Sequence, residues 1–224
     1  MEIYQKKTED SVLLKKLGSW KPDNVLDIGA NQGESVMRFK GILWPDVSIL
    51  SFEPRPMAFK LLSEVVNRYP GANCLNFGLG NVEGAFRMHE TLERNTKSGG
   101  GSSLLNRLDI PEKADVHPIM VKIKRLDDIG TFFPDFSFAN LFIKVDVEGF
   151  AKYVIDGGRK IFSQAKACLI EVNMINRYGK DQTTHDDIVE RMESMGFEYQ
   201  GPTRRIIVPA KGGLLWQDEL WMKK

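Results

Sequence analysis

The stretch VLDIGANQG, Val25 to Gly33, limits what this chain can fold into more than any other. An apolar run leads into an acid, Asp27, and then into a loop that carries Gly29 and Gly33. In a strand–loop–helix unit, such a loop brings backbone N–H groups against a ligand at the start of the helix. A second apolar run, ILSFEP, closes on Glu53 at a suitable distance downstream. An acid there can accept hydrogen bonds from both hydroxyls of a ribose, so the two segments together point to a nucleoside-containing cofactor.

Around these segments strand and helix patterns alternate. Apolar residues Val12, Leu13, Leu14 and Leu17 form a helix-like stripe over Thr8–Gly18. A buried strand is expected at Asn24–Ile28, then a helix from Gly33 to Leu43 stopped by Trp44-Pro45, a strand at Val47–Phe52, a helix at Arg55–Arg68 and a strand at Asn73–Leu79. This alternation calls for an α/β fold with a mostly parallel, doubly wound sheet, helices on both sides and an N-terminal helix. Further strands are expected at Ala85–His89, Ile119–Ile123, Asn140–Val145 and Ala167–Val172, with a turn or short helix from Arg125 to Ile129. A helix over Phe150–Phe162 should be interrupted near Gly157-Gly158, and His185–Met195 reads as an amphipathic helix closed by Gly196. Late antiparallel strands are expected at Phe197–Tyr199, Ile206–Val208 and Leu215–Met222, the last two as a hairpin around Lys211-Gly212-Gly213. Glu90–Val116 is polar, holds the run SGGGSSL and lacks periodicity; Leu104, Leu105 and Leu108 argue for a functional lid. No repeat or linker composition divides the chain. One domain over 1–224 is expected, with 1–23 as a helical extension and 90–117 as the lid.

Composition removes several function classes. A chain of 224 residues, 42% hydrophobic and 27% charged, suits one globular α/β domain. Its net charge of +1 argues against a broad phosphate-binding surface, so nucleic acid is not the expected partner. The charged N-terminus lacks the apolar core of a signal peptide, and no window is long and apolar enough for membrane insertion. Cys74 and Cys168 each lie in an apolar, strand-like context and read as reduced thiols. A cytoplasmic location is the expectation. Neither CxxC nor HExxH occurs, so no protein-coded metal site is apparent.

The loop itself discriminates among cofactors. A dinucleotide favours G-x-G-x-x-G, with glycine where the backbone closes on the pyrophosphate. Here Asn31 takes the middle position, which suits a smaller zwitterionic group such as the methionine part of S-adenosylmethionine. No Gly-Lys-Ser/Thr follows, which sets aside a P-loop. Taken in order, DIGANQG, FEPRP, NFGLG, GSSL, KVDVEG and IEVN make the chain resemble the FkbM-type S-adenosylmethionine-dependent methyltransferases over Val25 to Phe197. That resemblance implies the class I, Rossmann-like methyltransferase fold and methylation of a hydroxyl on a sugar or secondary metabolite. It implies that Asp27, Gly29, Asn31 and Gly33 line the methionine and ribose side, and that Glu53, beside Pro54, holds the ribose. Asn76, Phe77 and Gly78 would lie near the adenine, and Asp146 would face the reactive end. The chain departs from the family pattern at Ala151, where relatives often carry an acid, and at Asn173, where histidine is frequent.

A hydroxyl acceptor must lose its proton as the methyl group arrives, which calls for a carboxylate, histidine or lysine within reach. Asp146, Glu148 and Glu171 fall at the carboxyl ends of expected parallel strands, where ligands bind. Lys144 shares a strand face with Asp146 and could pair with a carboxylate or orient the acceptor. Two other readings stay open. A nicotinamide oxidoreductase would keep the nucleoside site, although Asn31 and the lack of a Tyr-x-x-x-Lys pair speak against it. A binding module without transfer is the other, kept open by Ala151 and Asn173. The acceptor and the oligomeric state are not legible.

Overall fold

The computed structural model describes residues 2–93, 102–108, 114–131, 133–208 and 213–224. After helix α1 (Glu2–Leu17) come β1 (Asn24–Ile28), α2 (Glu34–Arg38), β2 (Ser48–Phe52), α3 (Pro56–Val66) and β3 (Ala72–Leu75). The middle of the chain contributes β4 (Gly78–Leu79), β5 (Gly84–Glu93), β6 (Ala114–Lys124) and β7 (Leu141–Val145). Then follow α4 (Ala151–Gly157), α5 (Arg159–Phe162), β8 (Ala167–Asn173), α6 (His185–Ser194), β9 (Phe197–Val208) and β10 (Gly213–Lys223).

The main sheet has seven strands in the order β3-β2-β1-β7-β8-β10-β9. Its first five strands are parallel, and β10 pairs antiparallel with both β8 and β9. The run NVLDI of β1 is buried at every position, as a central parallel strand covered on both faces must be. Alternate side chains feed two cores. Val25, Phe39, Phe142, Leu169 and Leu220 pack with Leu13 and Leu17 of α1 on one face. Leu26, Ile143, Ile170 and Trp221 pack with Ile188 and Met192 of α6 on the other. The chain builds outward from β1 to β3 and then crosses back to β7, so the loops after β1 and β7 diverge and leave a crevice between them.

Local signals explain the element ends. Pro56 starts α3, where its missing N–H costs nothing. A capping box between Thr184 and Asp187 starts α6. The interruption expected near Gly157-Gly158 is the boundary between α4 and α5. The helix expected up to Leu43 is α-helical only to Arg38 and continues as a π-helical turn over Phe39–Leu43.

Three elements differ from the sequence reading. The strand expected at Asn73–Leu79 is two, with β3 in the main sheet and β4 in a second sheet ordered β4-β6-β5. The short strands expected at Ala85–His89 and Ile119–Ile123 are the centres of a long antiparallel pair that runs from Gly84↔Ile123 to Glu93↔Ala114. The two ends of the segment read as a lid, 90–93 and 114–117, are therefore strand; 94–101 and 109–113 lie outside the described residues. Phe197–Tyr199 and Ile206–Val208 are one strand, β9, with bulges where it pairs with β10. The expected hairpin tip, Lys211-Gly212, lies outside the described residues. No helix among the described residues is long and apolar enough to cross a membrane.

Candidate active site

Two cavities open along the carboxyl edge of the parallel strands. The first, about 750 Å³, lies between the ends of β1, β2 and β7 and the second sheet. Gly29, Glu53, Pro54, Arg55, Gly78, Asp146, Glu148 and Phe150 line it, with Ser102 and Leu104 along one side. The second, about 1210 Å³, is lined by Asn31, Glu34, Arg38, Lys144, Glu171, Arg204, Trp216 and Asp218, and by Glu9 and Asp10 of α1. Gly29, Asn31 and Asp146 belong to both linings, so the cavities meet there.

Backbone geometry fixes that junction. Gly29 has φ +83°, and a Cβ on it would lie 1.8 Å from the carbonyl oxygen of Asp146. Only glycine permits the two loops to come this close. The N–H groups of Gly29 and Ala30 both donate to the Phe52 carbonyl at 3.0 Å, which ties the loop to the end of β2. Asn31 adopts φ +50° and donates its N–H to Glu53 Oε2 at 2.9 Å.

Glu53 is 2% exposed and already engaged. Its Oε1 accepts from the Arg55 backbone N–H at 3.0 Å and from Arg55 Nε at 2.9 Å. Among the described residues its Oε2 has, beyond Asn31, only Arg55 Nη2 at 3.5 Å, which leaves one acceptor position for a hydroxyl. Arg55 also donates to Asn31 Oδ1 at 2.6 Å and to Ser102 Oγ at 3.2 Å. The Ser103 hydroxyl donates to the Glu148 carbonyl at 2.8 Å. Ser102 and Ser103 of the GSSL motif thus link the end of β2 to the end of β7.

Carboxylates crowd the far side. Lys144 Nζ lies 3.2 Å from Asp146 Oδ2 and 3.5 Å from Asp27 Oδ1. Burial works against the Lys144 ammonium, but Asp146 and Asp27 outweigh it and raise its pKa. Glu148 sits at φ +48°, a conformation that costs a non-glycine residue about 1–2 kcal/mol and signals a constrained loop. Its Oε2 accepts the Tyr178 hydroxyl at 2.5 Å and lies 3.6 Å from Arg177 Nη1. Burial first, then the charges of Asp146, Glu148 and Asp218, push the Glu171 carboxyl well above its ordinary range. Burial and then Asp146 raise Asp218 to about 6, against the pull of Arg204, Lys144 and Arg38. Carboxylate oxygens of Asp146, Glu148 and Glu171 lie within 4.8 Å of one another. Oxygen donors so grouped could hold a hard divalent cation, a possibility hidden in the sequence because the acids come from two strands.

The expected residues divide by placement. Gly29, Asn31, Glu53, Pro54, Gly78, Asp146 and Glu148 line the first cavity; Lys144 and Glu171 line the second. Four expected cofactor residues are in neither lining. Asp27 is wholly buried below, paired with Lys144 and accepting from Ser51 Oγ at 3.3 Å. Burial is the largest influence on it and raises its pKa despite Lys144. Gly33 packs α2 against Val65 and Leu62 of α3. Asn76 donates to the Glu53 and Pro54 carbonyls and so braces the loop after β2. Phe77 lies in the core, its ring tilted against that of Phe52 with centroids 5.7 Å apart. The two departures from the family pattern also lie outside the linings: Ala151 is 1% exposed in the core, and Asn173 accepts from Arg177 at 3.1 Å.

Sequence reasoning missed Arg55 as a partner of Glu53, although it stands inside FEPRP. It also missed Arg204 and Asp218, which, like Trp216, reach the site only because β10 inserts between β8 and β9.

A family model described as "Methyltransferase FkbM domain" matches residues 27–199. No curated protein matches the sequence. Among solved structures, the chain is similar to a methyltransferase FkbM from Methylobacillus flagellatus KT, with a TM-score of 0.52 and 16% identity. That alignment covers 90% of this chain and 43% of the other, so this chain spans less than half of that protein's length. A putative rRNA-methylase from Clostridium thermocellum gives a TM-score of 0.51 at 8% identity, covering 96% of this chain and 93% of the other. At such identities the structural likeness speaks for the fold alone.

Proposed function

The chain belongs to the FkbM methyltransferase family, and from that premise we propose that it methylates a hydroxyl of a small acceptor, a sugar or another small metabolite. Methyltransferases of this family use S-adenosylmethionine. When bound, that cofactor supplies a methyl group on a positively charged sulfur.

The observation that carries the reading is the junction of the two cavities at Gly29, Asn31 and Asp146. The residues present fit the cofactor. Glu53 Oε2 keeps an acceptor position for a ribose hydroxyl, and Pro54, Gly78 and Phe150 offer flat or small surfaces to an adenine. At Gly29 a side chain would collide with the Asp146 carbonyl and force apart the two loops that form the junction. Asp146 and its neighbours place negative charge where a sulfonium and an ammonium gain from it.

In this reading the second cavity receives the acceptor. Asp146 and Glu171 line it and stand ready to take a hydroxyl proton. Lys144, bound to Asp27 and Asp146, holds Asp146 in place. Most of the acceleration would come from alignment, which can lower a barrier by about 7–11 kcal/mol.

Titration calorimetry tests the cofactor half. S-adenosylmethionine and its demethylated product should bind saturably. Glu53→Gln should weaken both by about 10- to 100-fold, the value of a hydrogen bond to a charged group. Saturable binding of NAD, with no affinity for the adenosyl compounds, would overturn the reading.

A further inference from the structure

The sequence reading expects at position 53 an acid that accepts from both hydroxyls of a ribose. The structure gives Glu53 room for one. An ionised carboxylate offers about four acceptor positions, two on each oxygen. At Oε1 both are taken, by the Arg55 backbone N–H at 3.0 Å and by Arg55 Nε at 2.9 Å. At Oε2 the Asn31 N–H takes one at 2.9 Å. Among the described residues the fourth position meets only Arg55 Nη2 at 3.5 Å, longer than an ordinary N–H···O bond. Glu53 and Arg55 are both buried, and neither charge can turn from the other without being stranded away from water.

The same guanidinium orients Asn31. It can only donate, so the Asn31 amide must turn its oxygen towards it, and Arg55 Nη2 meets Oδ1 at 2.6 Å. A third contact, from Arg55 Nη1 to Ser102 Oγ at 3.2 Å, fixes the guanidinium from the far side. The Asn31 amide nitrogen is left to face other partners. Among the described residues its two N–H groups have only Glu34 Oε1, at 3.5 Å. Asn31 lines the first cavity together with Glu53 and Arg55.

We infer that the ribose of the cofactor is read by a split pair: one hydroxyl donates to Glu53 Oε2, the other accepts from the Asn31 amide, and Arg55 is the positioning residue that imposes this division. The inference deepens the proposed S-adenosylmethionine site and rests on it. A carboxylate gripping both hydroxyls treats them alike. One acceptor and one donor, held by a common guanidinium, make the two hydroxyls unequal. The Glu53 contact involves a charge and is the stronger of the two. Asn31 and Arg55 thereby become specificity-determining residues for the cofactor, although only Asn31 and Glu53 touch it.

Calorimetric titration of the full chain with S-adenosylhomocysteine and with its 2′-deoxy and 3′-deoxy analogues tests the division. In the wild type, losing one hydroxyl should cost about 10- to 100-fold in affinity and losing the other about 2- to 10-fold, the values of a charged and a neutral hydrogen bond. Glu53→Gln should erase the larger discrimination and keep the smaller. Asn31→Asp should do the reverse, because aspartate still accepts from Arg55 and tolerates the backbone at φ +50° but has no donor to offer. These two variants test the pair independently, so one suffices if the other fails to fold by circular dichroism. Arg55→Gln should reduce both discriminations to less than about threefold. An arginine that merely supported the fold would weaken all three ligands alike and leave their ratios intact. Preserved ratios in Arg55→Gln, both discriminations erased by Glu53→Gln, or neither changed by Asn31→Asp would overturn the division. A wild type that binds none of the three ligands would instead overturn the proposed cofactor site itself.

Discussion

At Gly29 close packing and backbone conformation make the same demand on one residue. The loop must approach β7 closely enough that a Cβ would meet the Asp146 carbonyl at 1.8 Å, and the backbone must hold φ +83°. Gly29→Ala therefore forces two loops apart and strains the turn, at about 2–4 kcal/mol. Urea unfolding should show that loss, and calorimetry should show weakened S-adenosylmethionine binding in the folded fraction. A variant of unchanged stability would mean the loops move apart freely. The glycine pattern was legible because so few residues tolerate this geometry. The direction of Asp27 was not. Its register opposite both Ser51 and Lys144 turns it under the site, and Lys144 comes from a strand that the sequence does not place beside β1. Glu53 was read correctly as the acid at the end of β2, but its partnership with Arg55 depends on side-chain placement that a motif does not carry.

Elements legible in the sequence are those whose pattern matches their burial. β1, β7 and β8 are mostly apolar and almost wholly buried, so their positions followed from composition. β5 and β6 did not, because much of their surface faces solvent: Phe86, Arg87, Met120 and Lys122 are exposed among them, and no clean alternation survives. The expected helix near the N-terminus is present, and what fixes it can be tested. Leu13, wholly buried against the strands of the main sheet, anchors α1, whereas Asp10 contributes only an ion pair to Arg38. Leu13→Ala should cost about 2–5 kcal/mol in urea unfolding. Asp10→Asn should cost less than about 1 kcal/mol, since a partly exposed pair is screened by water. A larger loss from Asp10→Asn than from Leu13→Ala would mean that charge, not the apolar face, holds the helix over the second cavity.

Across the whole molecule, the near-neutral net charge conceals an uneven distribution, with acids gathered at the carboxyl edge of one sheet. That gathering should appear in stability as a function of pH. The pKa values of Asp27, Glu171 and Asp218 are all raised, with burial the largest cause in each case. A carboxyl whose pKa is higher in the folded state binds more protons folded than unfolded. Its contribution is fully present below the unfolded value and is lost as pH rises through the folded value. For Asp218 the window runs from 3.8 to about 6. The wild type should therefore become more stable as pH falls from about 7 towards 5, whereas stability in many proteins begins to decline as carboxylates paired in the native state are protonated. Asp218→Asn removes one titration, so it should be closer to the wild type at pH 5 and relatively more stable at pH 7. The change in the difference should be on the order of 1–2 kcal/mol, reduced from the full linkage value because the cavity admits water. Urea unfolding of both proteins at pH 5, 6 and 7 measures it. A difference that stays constant across the range would show that the unfolded and folded chains hold this proton equally, and that the acidic edge exerts no strain on the fold.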